Sequence, residues 1–139
     1  YILINNEQES GSTVHHMTRE MDKGDIIAQS SVNLTPFDTI KSMQRKVYAR
    51  EPDLIVKAIQ KLILGHEAIP QNEANASEYQ KRRRPEDSQI NPNTPLTDLV
   101  NNIRACDEEK FPAFFMYKGH RVCIKLWRPD KRADDFDLI

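Results

Sequence analysis

The chain is poor in the residues that mark special environments. It has two cysteines, one tryptophan and four glycines in 139 residues. Cys106 and Cys123 show no metal-type spacing and have no partners for a disulfide framework. They read as reduced thiols of a cytoplasmic protein. No apolar run approaches the ~20 residues needed to cross a bilayer, and no signal-peptide pattern is present. Neither sign of charge dominates: 20 Lys and Arg face 21 Asp and Glu, for a net charge of −1. Dedicated nucleic-acid binders carry a basic excess, so a polynucleic acid is not the expected partner. A zinc site needs three or four ligands at workable distances. His66 and His120 lie far from His15 and His16 in sequence, so no metal is expected.

What is present fits a folded α/β chain. Hydrophobic residues make up 38% and charged residues 29%, and the mean hydropathy of −0.69 implies generous polar loops. Tyr1–Ile4 is an apolar run that reads as a buried strand. A native N-terminus seldom begins inside a core element, so the chain reads as a fragment of a longer protein. Thr13–Met17 and Ile26–Leu34 read as two further strands around a charged turn from Arg19 to Asp25. Thr35-Pro36-Phe37-Asp38 then offers a cap, a first-turn proline and an anion for the helix dipole. Ile40, Met43 and Val47, and later Ile55, Ala58, Ile59 and Leu62, recur at helical spacing. The predicted helix runs from Pro36 to Leu64, stops at Gly65, and kinks or breaks near Arg50 because Pro52 lacks an amide donor. A polar connection follows, with a short strand around Ile69. Thr94-Pro95 opens a second helix, with Leu96, Leu99, Val100 and Ile103 on one face. Ala113–Tyr117, a Lys118-Gly119 turn and Arg121–Trp127 make a hairpin signal. The tail reads as a loop and a final strand.

The candidate chemistry centres on Asp22. The plain reading is a turn residue in a solvated hairpin, since Asp and Gly form turns. The functional reading is a carboxylate at a strand end, placed near histidine to orient an imidazole, a water or an amine for proton transfer. Gly24 would let the backbone approach a flat ligand. His15 and His16 point to opposite sides of their strand.

The stretch "SGSTVHHMTREMDKGDIIAQSSVNL" resembles the folate-dependent formyltransferase family. That family carries a small-Gly-x-Thr-hydrophobic-His pattern followed by Asp-x-Gly-x-Ile-hydrophobic-x-Gln. Gly11, Thr13, Val14, His15, Asp22, Gly24, Ile26, Ile27 and Gln29 match it. "RRRPEDSQI" and "LVNNIRACDEEKFPAFFMYKGHRVCIKLW" resemble segments that follow the catalytic domain in methionyl-tRNA formyltransferase and sugar N-formyltransferases. The resemblance implies the C-terminal half of a Rossmann-like domain over 1–78, then a small α+β, OB-like subdomain over 79–139. It implies that Asp22 is catalytic and His15 supports it. Glu20, Met21, Lys23, Gly24 and Asp25 would line the pterin of 10-formyltetrahydrofolate. The family's upstream His-x-Ser-x-Leu-Pro stretch, which supplies a catalytic asparagine and histidine, is not in this sequence. The chain alone is therefore expected to be inactive and to need the missing N-terminal half.

Lys81 to Arg84 are four consecutive cations. The plain reading is a solvated turn. The functional reading is a phosphate clamp, because guanidinium forks match phosphate oxygens. Arg83 is the preferred contact, Asp87 the second, and Tyr79 could stack on a base. Arg104, closing an apolar helix, reads as a structural bridge between the subdomains. A transfer-RNA acceptor would call for a broad basic surface, so the expected acceptor is the amine of a nucleotide-linked sugar. The alternatives are methionyl-tRNA or glycinamide ribonucleotide as acceptor, or a non-catalytic binding module. A homodimer is possible, because a half-sheet leaves apolar faces to be covered.

Overall fold

A computed structural model describes residues 1–72, 80–133, 135, 137 and 139. The expected boundary at 78/79 lies outside the described residues, and so does Tyr79. The described elements are β1 (Glu9–His15), β2 (Ile26–Asn33), α1 (Ile40–Tyr48), α2 (Glu51–Ile63), a 3-10 turn (Pro85–Ser88), α3 (Leu96–Arg104), β3 (Ala113–Tyr117) and β4 (His120–Ile124). They divide into two compact units. One is formed by 9–33 and 45–79; the other by 1–8, 34–44 and 80–139.

In the first unit β1 and β2 pair antiparallel, with Val14 opposite Ala28 and His15 opposite Ile26. Ile27 is thus an extra residue on β2, a bulge that bends the strand and re-aims its side chains. It explains why Ile27 and Ala28 are both buried although neighbours on a regular strand face opposite ways. Both pack with Leu54 and Ala58 of α2, with Val14 and Ala68 at the margin. β1 begins and ends earlier than the sequence suggests: it spans Glu9–His15, and His16–Thr18 are irregular. Ile69 meets Ile26 in one isolated bridge, with both backbone hydrogen bonds at 2.8 Å.

The long helix does break before Pro52. Ala49 and Arg50 form the turn between α1 and α2. Pro52 takes an N-terminal position of α2, where no amide donor is required. Gly65 ends α2 at φ +69°, and His66 N donates to Lys61 O at 3.0 Å, the closing bond of a Schellman turn. Two details differ from expectation. α1 begins at Ile40 rather than Pro36: the Asp38 carboxylate accepts from Thr35 N in a separate turn, and Ser42 N donates to Thr39 Oγ1 instead. The buried face of α2 is Leu54 and Ala58, whereas Ile55, Ile59, Leu62 and Ile63 are 49–79% exposed.

In the second unit Ile90, Leu99, Ile103, Cys106 and Ala113 form the core, with Phe115, Ile124 and Leu126 packed against it. β3 and β4 form the predicted hairpin, turning at Lys118 and Gly119, both at positive φ as a two-residue hairpin loop requires. β4 stops at Ile124, short of Trp127. The expected first strand is absent. Tyr1–Asn6 instead coils into local turns, with Asn5 N donating to Tyr1 O and Glu7 N to Ile2 O. A short apolar run is compatible with either form; here Leu3 alone is drawn fully inside, at 2% exposure. The tail forms no strand among its described residues, though Asp137 and Ile139 are buried.

Arg104 organises this unit. It is 2% exposed. Its guanidinium donates to Asn101 Oδ1, the Thr35 and Asp38 carbonyls, the Leu3 carbonyl and Asn6 Oδ1, at 2.8–3.3 Å. These partners come from both sides of the 78/79 position in sequence, but all of them lie within this one unit. Burial pulls its pKa down and the Asp38 carboxylate opposes that pull. Asp38 is itself fully buried and accepts from Ser42 Oγ at 2.7 Å and Thr35 N at 2.6 Å. No described helix is long and apolar enough to cross a membrane.

Candidate functional site

The bulge at Ile27 sets up the site, because it changes register at His15 and lets the chain leave the sheet beside Asp25. His16 N donates to Asp25 O at 2.9 Å and closes the loop between them. Thr18 Oγ1 donates to Glu20 O at 2.7 Å, and Lys23 pairs with Glu20 at 3.7 Å. Gly24 is buried against the loop entry. A Cβ there would overlap the His16 carbonyl oxygen, which is backbone and cannot swing away. The expectation for Gly24 was close approach to a ligand; the group it admits is the protein's own carbonyl. Gly24→Ala should therefore cost about 1–3 kcal/mol, as overpacking does. Urea denaturation would check it, with Asp25→Ala as an exposed-loop control that shifts far less.

The loop brings His15 and Asp22 together. His15 Nε2 lies 3.7 Å from Asp22 Oδ1, with the His15 side chain 27% exposed and that of Asp22 81% exposed. His15 Nδ1 is 2.9 Å from the His16 carbonyl oxygen. A carbonyl only accepts, so Nδ1 carries the hydrogen and Nε2 is the nitrogen free to exchange a proton. The Asp22 carboxylate therefore faces that nitrogen. At 3.7 Å the two are a pair that a bridging water or a small shift would bring into hydrogen-bond contact.

Asp22 has φ +59°, in the left-handed region. At a residue with a side chain this costs roughly 1 kcal/mol. What holds it there is Gln71, which sequence reasoning missed. Its amide nitrogen donates to Asp22 O at 2.8 Å and Gly24 O at 2.6 Å. Two such bonds are worth roughly 0.5–1.5 kcal/mol each, enough to offset that cost. Nothing in the polar stretch around Gln71 signals this, because its partners lie 47 and 49 residues away. On the sheet, Gln29 donates to Thr13 across the strands at 3.0 Å, so two further residues of the quoted pattern are direct neighbours.

The expected substrate residues lie in the other unit. Asp87 turns its carboxylate back to Arg84 N at 2.6 Å, capping the 3-10 turn that Pro85 begins. Arg83 donates to Asp87 O at 2.7 Å and reaches Cys106 Sγ at 3.9 Å. Each is thus partly committed to local structure. Lys81, Arg82 and Arg84 are exposed. With Arg83, Gln44 and Phe111 they line an open cleft of about 750 Å³. Among the described residues no group of three or more His, Cys, Asp or Glu is placed to hold a metal ion.

Residues 2–59, which include the bulged hairpin and the Asp22 loop, match the family model described as formyl transferase. That segment is similar to the formyl transferase family. Solved structures extend the likeness past the formyl transferase segment. A 4-N formyltransferase from Francisella tularensis is similar with a TM-score of 0.72 and 24% identity, over 90% of this chain and 53% of that one. Methionyl-tRNA formyltransferase from Clostridium thermocellum is similar with a TM-score of 0.67 and 19% identity, over 86% of this chain and 51% of that one. HypX from Aquifex aeolicus, solved in complex with tetrahydrofolic acid, gives a TM-score of 0.71 and 18% identity, over 88% of this chain and 21% of that one. The shared feature is the α/β fold of formyltransferase domains. The chain spans about half the length of the two formyltransferases.

Proposed function

We propose that this chain is the C-terminal portion of an enzyme that moves a formyl group from 10-formyltetrahydrofolate to the amine of a nucleotide-linked sugar. The observation that carries the proposal is the His15–Asp22 pair, set on a pinned loop inside a formyl transferase segment. When the amine attacks the formyl carbon, a C–N bond forms and the bond to the folate nitrogen breaks. A proton must leave the amine and one must reach the departing nitrogen. Asp22 is the acceptor within reach of that traffic, and His15 Nε2 can relay it. The folate supplies the activated formyl group. The loop suits a flat heteroaromatic edge: the Asp22 and Gly24 carbonyls each keep a second lone pair, and the 80%-exposed Met21 offers an apolar flank. Glu20, Lys23 and Asp25 complete that wall.

The acceptor reading rests on the cationic cleft that Lys81–Arg84 line, with Asp87 on a second pocket that Lys81, Arg82 and Arg83 also line, and Tyr79 two residues before Lys81 in the sequence. Its few cations suit a diphosphate better than a polyanion, as does the net charge of −1. The similarity to a sugar N-formyltransferase from Shewanella sp FDAARGOS_354, with a TM-score of 0.65 and 23% identity, points the same way, and that to a methionyl-tRNA formyltransferase keeps transfer RNA as the second reading. We assign catalysis to the whole polypeptide, with a missing N-terminal half supplying the other catalytic groups. The exposed apolar row Ile55, Ile59, Leu62 and Ile63 on α2 gives such a half, or a second copy, something to cover. In the complete protein, residues 79–139 would form the OB-like subdomain. The two free thiols suit a cytoplasmic setting.

The test is formyl transfer by the complete polypeptide, with labelled 10-formyltetrahydrofolate offered to nucleotide-linked amino sugars, glycinamide ribonucleotide and methionyl-tRNA. Label on the sugar amine is the expected result. Label on the transfer RNA or ribonucleotide would replace the acceptor, and label on none would leave a binding module.

A further inference from the structure

We propose that Gln71 is a positioning residue for Asp22, a role that rests on the formyl-transfer reading above. The argument starts from the loop's geometry. Asp22 holds a left-handed backbone, so its side chain leaves the loop in a direction an ordinary turn would not give it. That direction puts the carboxylate 3.7 Å from His15 Nε2. The Gln71 amide bridges the Asp22 and Gly24 carbonyls, one at the strained residue itself and one two residues beyond it. Gln71 sits just beyond Ile69, whose two hydrogen bonds to Ile26 tie this strand-like segment to the start of β2. The clamp is therefore anchored to the sheet that carries His15. Both members of the pair are referred to one rigid frame, His15 through β1 and Asp22 through Gln71. Gln71 is exposed and belongs to no apolar core, so its removal takes away the clamp and little else. Its amide does not face the reacting atoms; it acts through the loop.

Three variants of the complete polypeptide separate this role from a merely structural one. Gln71→Ala and the near-isosteric Gln71→Met lose both donors. Each should lower kcat about 10- to 100-fold, as small misplacements of a reacting group do. The acceptor KM should stay near wild type, and the melting temperature should fall by no more than a few degrees, about what the two lost hydrogen bonds are worth. Trypsin should cut after Lys23 faster than in wild type, while cutting at Lys81–Arg84 is unchanged. Gln71→Glu sets a carboxylate against two carbonyl oxygens, and only its protonated form can donate. Its kcat relative to wild type should climb as the pH falls through the carboxyl range, whereas the ratio for Gln71→Ala stays flat. Glu20, Asp22, Lys23, Asp25, His15 and His16 titrate in every variant, so the ratio isolates position 71. Wild-type kcat in Gln71→Ala, or an unchanged rate of cutting after Lys23, would overturn the proposal. If the complete wild-type protein transfers no formyl group, the enzymatic reading fails by itself, and the clamp stands or falls on the cutting rates.

Discussion

On the proposed function, Asp22→Asn in the complete polypeptide should lower kcat for formyl transfer by about 10²- to 10⁴-fold, the usual worth of a positioned proton-transfer group, and leave the fold intact. The substitution is close to isosteric. The side chain is 81% exposed, so no core is disturbed. Asparagine tolerates the left-handed backbone as well as aspartate does, so the φ of +59° and the Gln71 clamp on the Asp22 carbonyl persist. What disappears is the negative charge facing His15 Nε2 and the capacity to accept a proton. A steady-state assay beside a thermal melt separates the two effects. A normal melt with lost turnover is the expected pairing. Unchanged turnover would remove Asp22 from the reaction, and a collapsed melt would make it a structural residue.

Arg104→Met should destabilise the protein by about 3–5 kcal/mol, the range for breaking a buried charge pair from one side. That approaches half the stability of an ordinary domain. Methionine fills much of the space but donates nothing. The carbonyls of Leu3, Thr35 and Asp38 and the side-chain oxygens of Asn6 and Asn101 all lose a partner. Asp38 keeps Ser42 and Thr35 N but loses its compensating charge. Urea unfolding measures the loss. Arg104→Lys should fall in between, since one ammonium cannot reproduce the planar fork. Adding Asp38→Asn to Arg104→Met should recover part of the loss by removing the orphaned carboxylate, and the double-mutant cycle reads the coupling. Loss of less than ~1 kcal/mol in Arg104→Met would place it among ordinary surface substitutions and refute the assignment.

Local rules carried much of the fold. Pro52 gave the helix break, Gly65 the helix stop, and Lys118-Gly119 the hairpin turn, because each acts through backbone chemistry within a few residues. Errors arose where distant partners decide. Tyr1–Ile4 satisfies a strand pattern, yet Leu3 answers to Arg104, 101 residues away. Thr35 and Thr39 are both credible caps, and the Asp38 carboxylate takes up Thr35 N in a turn of its own. The phase of α2 slipped because Ile55 and Ile59 look as apolar as Leu54 and Ala58, and only the sheet selects between them. At the site, Asp22 and His15 were legible because a motif places them seven residues apart. Gln71 was not, since a clamp made by one amide leaves no trace in spacing. Arg83 and Asp87 were read as first and second choices of ligand contact, and the preference of Asp87 for capping the turn opened by Pro85 could not be weighed without the backbone.

The bridge from Arg104 to Leu3 also orders events during synthesis. Residues 9–33 and 45–79 hold the partners of one sheet and its covering helix, so that unit can close while the ribosome is still translating the rest. The other unit needs residues 1–8 to wait for α3, roughly a hundred codons later. At about 5–20 residues per second the Tyr1–Asn6 turn stays without its arginine for several seconds. During that interval the Leu3 carbonyl lacks the donor it has in the folded chain, and a slow codon placed before Arg104 would lengthen the wait.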